Sequence, residues 1–332
     1  MANLKVTGKE TLCEHEYENI EVYGAIDAQN SFKCTRLEVY GSAKLQGDCI
    51  CDGKLGVHGS MESCRDVNSE EITIAGILKA AGSLNARNIE IMGKGTVGKC
   101  VKAACIDVGG SLTVDEDIEV KNIDVSGSVV CRQLTTHSVD ISGKISVDGA
   151  TECSDIDVSG KLECGALKAH SIDVSGKVSV DNDIECIDLG LSGKLECKKL
   201  KATAIDVSGR INVDGDVECE TAEISGSAEI SDLLNAESIS IESASESRIA
   251  SIGCSKITVK EKSRLLAFLN SSHAPILTAE LIEGDNIILE KTHAKMVRGK
   301  NVHIGKGCKI GVLEYTESYA CDPSSSIGEL KN

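Results

Sequence analysis

Fourteen glycines, Gly8, Gly24, Gly41, Gly59, Gly76, Gly93, Gly110, Gly127, Gly143, Gly160, Gly176, Gly193, Gly209 and Gly226, follow one another at near-constant spacing. Most of them close a short phrase whose cleanest form is Ile156-Asp157-Val158-Ser159-Gly160, repeated at 172–176 and 205–209. A period this short and regular calls for stacked equivalent units, because one such unit cannot bury an apolar face by itself. Between Gly160 and Gly176 the apolar or small residues fall in pairs: Leu162 with Cys164, Leu167 with Ala169, and Ile172 with Val174. Each pair has the period of two that marks a strand with one buried face. The i, i+3, i+4, i+7 spacing of an amphipathic helix is absent. Three short strands separated by corners make one triangular turn of a parallel β-helix. The spacing therefore predicts an all-β solenoid of triangular cross-section, with about 17 residues per winding and about 4.8 Å per winding. Handedness does not follow from period alone.

The energetics of one winding point the same way. Ordering its backbone costs about 1–2 kcal/mol per residue, while each inward side chain returns only about 1.5–3 kcal/mol. Neighbours above and below must supply the rest.

A slower rhythm, two windings long, runs through the middle of the chain. It carries Cys131, Cys164 and Cys197, then Cys153, Cys186 and Cys219, then Asp115, Asp148, Asp181 and Asp214. Two winding types, differing by one residue in length, thus alternate. Like-placed cysteines fall two windings apart, about 9–10 Å, beyond the ~7 Å Cα limit for a disulfide. The sixteen cysteines therefore read as small buried apolar groups, which suits a reducing, cytoplasmic setting. Cys49 and Cys51 form a C-x-C, but no second pair follows at zinc-site spacing.

The formal charge of −17 argues against nucleic-acid binding, which needs clustered Lys and Arg, and against electrostatic adhesion to anionic lipid. No signal peptide and no membrane span are expected, since no apolar run approaches the ~20 residues of a spanning helix. Two outward columns stand out. Asp124, Asp140, Asp157, Asp173 and Asp206 form one; Lys144, Lys161, Lys177, Lys194 and Arg210, each just after the glycine, form the other. The basic column, one corner away, is expected to offset the acidic one. A divalent-cation ladder is the alternative. His137 and His170 fall at equivalent corners. No histidine has a nucleophile or carboxylate at a catalytic spacing, the corners are too short to wall a substrate groove, and no glycine-rich phosphate loop precedes a helix. No catalytic, metal or cofactor residue is nominated.

The organisation expected is a β-helix over 1–262, a loop or insertion over 263–275, and a C-terminal β-helical module over 276–332. A solenoid end exposes an unpaired strand edge. A strand-like pair begins at Leu4 and Val6, and Ile327 and Leu330 lie near the last residue, with no amphipathic capping helix at either end. Those four residues are the candidate polymerisation interface, because repeated heterologous end contacts build filaments.

The VSG/ISG windings from MANLKVTGKE onward, then LLNAESISIE, then LTAELIEGDNIILEKTHAKMVRGKNVHIGKGCKIGVLEY, resemble the bactofilins, and in particular the longer polymer-forming cytoskeletal proteins of spore-forming Gram-positive bacteria. The resemblance covers essentially the whole chain and is most specific over 277–315. It implies a right-handed triangular β-helix that self-associates through its ends, without nucleotide, into non-polar filaments. It implies a cytoplasmic, non-enzymatic scaffold for cell shape, envelope organisation or motility structures, whose partners are further copies of itself or a second bactofilin homologue. Typical bactofilins carry proline-rich tails, and some a membrane-targeting segment; this chain has two prolines. The alternative reading is a monomeric β-helical rod whose flat face binds a protein or cell-wall partner.

Overall fold

The computed structural model describes residues 2–12, 15–243, 245–261 and 276–332. The expected loop over 263–275 lies outside the described residues. All regular structure among the described residues is β-strand, 38 strands in all, and every strand pairing described is parallel, as in the pairings of both halves of the chain. The chain divides into two compact units, Met1–Gly165 and Ala166–Asn332, and each is a parallel β-solenoid with three faces per turn.

In the first unit a typical winding runs Asn88–Ile91, Lys94–Val97 and Val101–Val108. The third strand passes its corner unbroken and becomes the first face of the next winding. On that first face Ile72, Ile89, Ile106, Ile123, Val139 and Ile156 stack in register. On the second face Met61, Leu78, Gly95, Leu112, Val129 and Ile145 stack. On the third face the column is Val67, Leu84, Val101, Ile118, Leu134 and Thr151. Apart from Gly95 and Thr151 these are apolar, and branched side chains fit a pleated face packed on like neighbours.

The corner glycines have a plain steric cause. At Gly127 the amides of Ser126 and Gly127 both donate to the Val108 carbonyl. This turn seats Gly127 on the previous corner so closely that a Cβ there would lie 2.0 Å from the Gly110 carbonyl oxygen. The same approach recurs at Gly24, Gly41, Gly59, Gly76, Gly93, Gly110, Gly143, Gly160, Gly193, Gly209 and Gly226, so the period in glycine is a period in backbone contact.

In the second unit the first face stacks Leu189, Ile205, Ala222, Ile239, Ile257, Ile287, Val302 and Tyr319. From Ser227 onward each winding is one long strand bent through its corners: Ser227–Ser243, Ser247–Glu261, Leu277–Leu289, Thr292–Ile304 and Lys309–Cys321. Leu277 pairs with Ser247 and Leu289 with Val259, so residues 276–332 extend the same solenoid of that unit. Leu277 then pairs with Thr292 and Ile287 with Val302, a shorter step along the chain than in the windings before them. The corner after Ile304 turns through Gly307 at φ 72°, a left-handed conformation that glycine adopts without penalty.

Candidate functional site: edges and outward faces

The outermost strands define the first candidate. Ala2–Val6 pairs with Tyr17–Val22, and Lys9–Leu12 with Ala25–Ala28. Ser326–Lys331 pairs with Lys309–Cys321. Among the described residues each of these three strands is paired with one other strand, on one side, so each is a sheet edge. The four nominated residues differ in position. Val6 is fully buried and belongs to the core of its winding. Leu4 and Ile327 are half-buried, over Ile20 and Ile310 respectively. Leu330 is 44% exposed, next to Leu313 in register. In the same winding pair Tyr319 is exposed and packs on Tyr315, ring centroids 4.7 Å apart. Leu4 and Val6 lie in the first unit, Ile327 and Leu330 in the second.

The second candidate is the outward charge pattern, and here one expectation is corrected. The basic column does not compensate the aspartates. Lys144 and Lys161 both reach Glu163, at 2.8 Å for Lys144; Lys177 and Lys194 both reach Glu196, at 2.9 and 2.5 Å. Residues i and i+2 of a strand share a face, so Lys161 and Lys194 pair with the glutamate two places along, and Lys144 and Lys177 meet the same glutamates from the winding before, rather than reaching round a corner. Paired with two ammonium groups, the Glu163 carboxyl is held down to about 2, and Glu196 is likewise lowered.

The aspartates are left to themselves. In the first unit Asp107, Asp124, Asp140 and Asp157 stack in register, and among the described residues none makes an ion pair. Partial burial first, then its neighbours Asp140 and Asp107, raise the Asp124 carboxyl above its usual range. In the second unit Gly190 interrupts the column between Asp173 and Asp206. Among the described residues no group of three or more His, Cys, Asp or Glu side chains is arranged to hold a metal ion.

The histidine corners are equivalent: the His137 carbonyl accepts from the amides of Ser154 and Asp155, and the His170 carbonyl from those of Ile187 and Asp188. Most of the cysteine columns are core. Cys131, Cys164, Cys186 and Cys197 are buried, while Cys153 and Cys219 are half-buried. Burial pushes the Cys131, Cys186 and Cys197 thiols up to about 12. Cys64, Cys105 and Cys321 are exposed instead.

Two groupings escaped the sequence reading. Tyr23, Tyr40 and His58, each just before a corner glycine, form a ring stack with centroids 4.9 and 4.8 Å apart and planes within 9°, and the Lys5 ammonium sits 4.9 Å above Tyr23. Beside it the Glu38 carboxylate is buried over Gly56, where a Cβ would meet it at 2.0 Å. It accepts from Arg36 at 3.0 and 3.1 Å and lies 3.2 Å from His58 Nε2. The signal was available: all three ring positions share one place in the repeat.

Comparison with known proteins yields two relatives from Bacillus subtilis (strain 168). Uncharacterized protein YhbE is 48% identical over 100 residues, 30% of this chain and 42% of the relative. Uncharacterized protein YhbF is 41% identical over 98 residues, 29% of this chain and 40% of the relative. The chain thus spans about two fifths of the length of the curated relatives it matches. No family model matches, and no solved structure matches. No helix among the described residues is long and apolar enough to cross a membrane.

Proposed function

We propose that this protein is a non-enzymatic, cytoplasmic scaffold that self-associates without nucleotide by pairing the edges of its outermost windings. The observation that carries this reading is the set of one-sided strands, Ala2–Val6, Lys9–Leu12 and Ser326–Lys331, together with the exposed Leu330 and Tyr319. Such an edge is a template for a further parallel or antiparallel strand, and an edge contact that repeats without closing builds a filament. The resemblance to bactofilins supports the same reading and suggests service in cell shape, envelope organisation or motility structures, with a second bactofilin homologue as a further partner.

The test is sedimentation and negative-stain imaging of the purified chain over a concentration series, without nucleotide. Assemblies should form with rising concentration and be lost in Leu330→Lys or Leu4→Lys. Val6→Lys is a poor probe, because Val6 is core. Particles that remain monomeric at every concentration would refute self-association. They would leave the second reading, a monomeric solenoid that displays a face to a partner, for which the uncompensated Asp107–Asp157 column is the supporting observation.

A further inference from the structure

Six cysteines follow the two-winding rhythm, Cys131, Cys164 and Cys197 with Cys153, Cys186 and Cys219, and one pair is placed quite differently. Cys34 and Cys51 are a single winding apart, and they are register partners on adjacent parallel strands of the third face. Both side chains are buried. In-register partners on neighbouring strands have Cα atoms about 4.8 Å apart, inside the ~4.4–6.8 Å window of disulfides. The pairing register also slips just after each of them, between Cys34 and Arg36 and between Cys51 and Lys54. Bulged backbone of this kind re-aims side chains and eases the Cβ approach that a straight ladder holds too wide.

We propose that Cys34 and Cys51 form a reversible disulfide that staples these two windings when the protein meets a peroxide, with Cys51 as the attacking sulfur and Cys34 as the resolving one.

The surroundings divide the roles. As a thiol, Cys51 Sγ–H points at the carbonyls of Thr35 and Lys54, at 3.3 and 3.2 Å. As a thiolate it is favoured by the hydrogen bond from Cys34, then, against the cost of burial, by the Gly53 amide, the Ser69 hydroxyl and the Leu37 amide; the balance brings it down to about 7. Cys34, donating to Cys51 and buried, is pushed up. Cys49, also buried, is raised by burial first and then by Cys51. One sulfur of three is thus poised as a nucleophile. Cys51 lies beneath a shallow groove that it lines with Asp52, Asn68, Ser69 and Glu70, itself only 2% exposed, so a peroxide reaches the sulfur through this groove as the outer windings open locally.

The chemistry balances with the peroxide as oxidant. The Cys51 thiolate attacks one peroxide oxygen; the O–O bond breaks, Cys51 becomes the sulfenic acid, and the departing hydroxide takes a proton to leave as water. Cys34 sulfur then attacks the Cys51 sulfur, its proton joining the departing hydroxide as a second water. Two thiols and one hydrogen peroxide give one disulfide and two waters. This inference is independent of the scaffold reading.

The test uses the intact chain, treated with hydrogen peroxide, quenched, alkylated in denaturant and cut with trypsin. Cleavage after Lys33, Arg36, Lys44 and Lys54 puts Cys34 in the peptide 34–36 and Cys51 with Cys49 in the peptide 45–54. Fragmentation then tells Cys49 from Cys51. The expected product is a 34–36/45–54 cross-link through Cys51, removed by dithiothreitol, kept in Cys49→Ser and lost in Cys34→Ser and Cys51→Ser. Its rate of formation in the unaltered protein should rise with a midpoint near pH 7 rather than near the ~8.5 of an ordinary thiol. A cross-link through Cys49 would overturn the assignment. So would free Cys34 and Cys51 in unaltered protein whose exposed Cys64, Cys105 and Cys321 have already been oxidised, a readout that needs no variant to fold.

Discussion

Thr151 sits in an otherwise aliphatic column, fully buried and paired in register with Leu134. Its hydroxyl has no hydrogen-bond partner among the described residues. A buried hydroxyl without a partner costs about 1–3 kcal/mol, so Thr151→Val, which keeps the shape and replaces the hydroxyl with a methyl, should stabilise the first unit by about 1.5 kcal/mol. At a urea slope of about 3 kcal/mol/M this moves the unfolding midpoint up by about 0.5 M. Thr136 is the control. It lies in the same unit, but its hydroxyl is satisfied, within 3.0 and 3.1 Å of the Lys121 and Ser138 carbonyls. Thr136→Val removes a made hydrogen bond and should lower the midpoint by about 0.3 M, for a loss of about 1 kcal/mol. The assay is urea unfolding followed by the strand band in circular dichroism, read as midpoint at unchanged slope. A loss in both variants would refute the reasoning, because it would mean that the Thr151 hydroxyl is hydrogen-bonded in the folded protein.

Alanine at a stacked corner should be far worse than alanine at the first one. Gly127→Ala places a Cβ 2.0 Å from the Gly110 oxygen and should cost more than about 3 kcal/mol, whereas Gly8, with nothing within 4 Å of its Cβ position, should tolerate alanine within about 0.5 kcal/mol; thermal melts of the two variants check both. Glu163 has a lowered folded pKa, so its contribution is present above the unfolded carboxylate value of about 4.3 and fades as pH falls toward about 2. The Glu163→Gln variant should therefore lose stability near neutral pH and converge with the unaltered protein below pH 2. The difference should stay under about 1 kcal/mol, because the pair is solvent-exposed.

The fold was legible because its determinant is local and repeated. Ile156 and Val158 face inward and Asp157 outward in every copy of the phrase, and a strand alternation of this kind needs no tertiary information. The corner glycine was legible as a marker, yet its cause, a backbone-to-backbone approach one winding away, shows only when the turns are stacked. Outward chemistry was harder. The K-L-E-C phrase at 161–164 and 194–197 places lysine and glutamate on one face, but the eye pairs charges by column and finds the aspartates instead. The two-winding rhythm of Cys131, Cys164 and Cys197 hid the one-winding spacing of Cys34 and Cys51 by making two windings look like the rule for cysteine. The shortened windings after Leu277 were obscured by the break between 262 and 275.

The inner columns and the outer ones answer to different constraints. Inward positions accept isoleucine, valine, leucine or cysteine with little consequence beyond volume, since each packs on a like neighbour above and below. A corner seated on the carbonyl of the previous corner, as at Gly127, accepts glycine alone. Outward positions are free of both demands, and there the windings differ. Tyr23, Tyr40 and His58 share one place in the repeat with Ser126, Ser142, Ser192, Ser208 and Ser225; Glu163 and Glu196 each pair with two lysines, while Asp107 through Asp157 go uncompensated. A chain under pressure only to hold a solenoid would relieve that acidic column, as Gly190 relieves it between Asp173 and Asp206. Stacked carboxylates about 4.8 Å apart repel by roughly 1 kcal/mol per pair in water, and salt screens them further. The column is therefore cheap to keep and strongly dependent on ionic strength. Any partner that recognises this face should bind through cationic groups and be released by salt, whereas association through the strand edges, resting on backbone hydrogen bonds and on Leu330 and Tyr319, should survive the same salt. Titrating salt against assembly separates the two surfaces within one experiment.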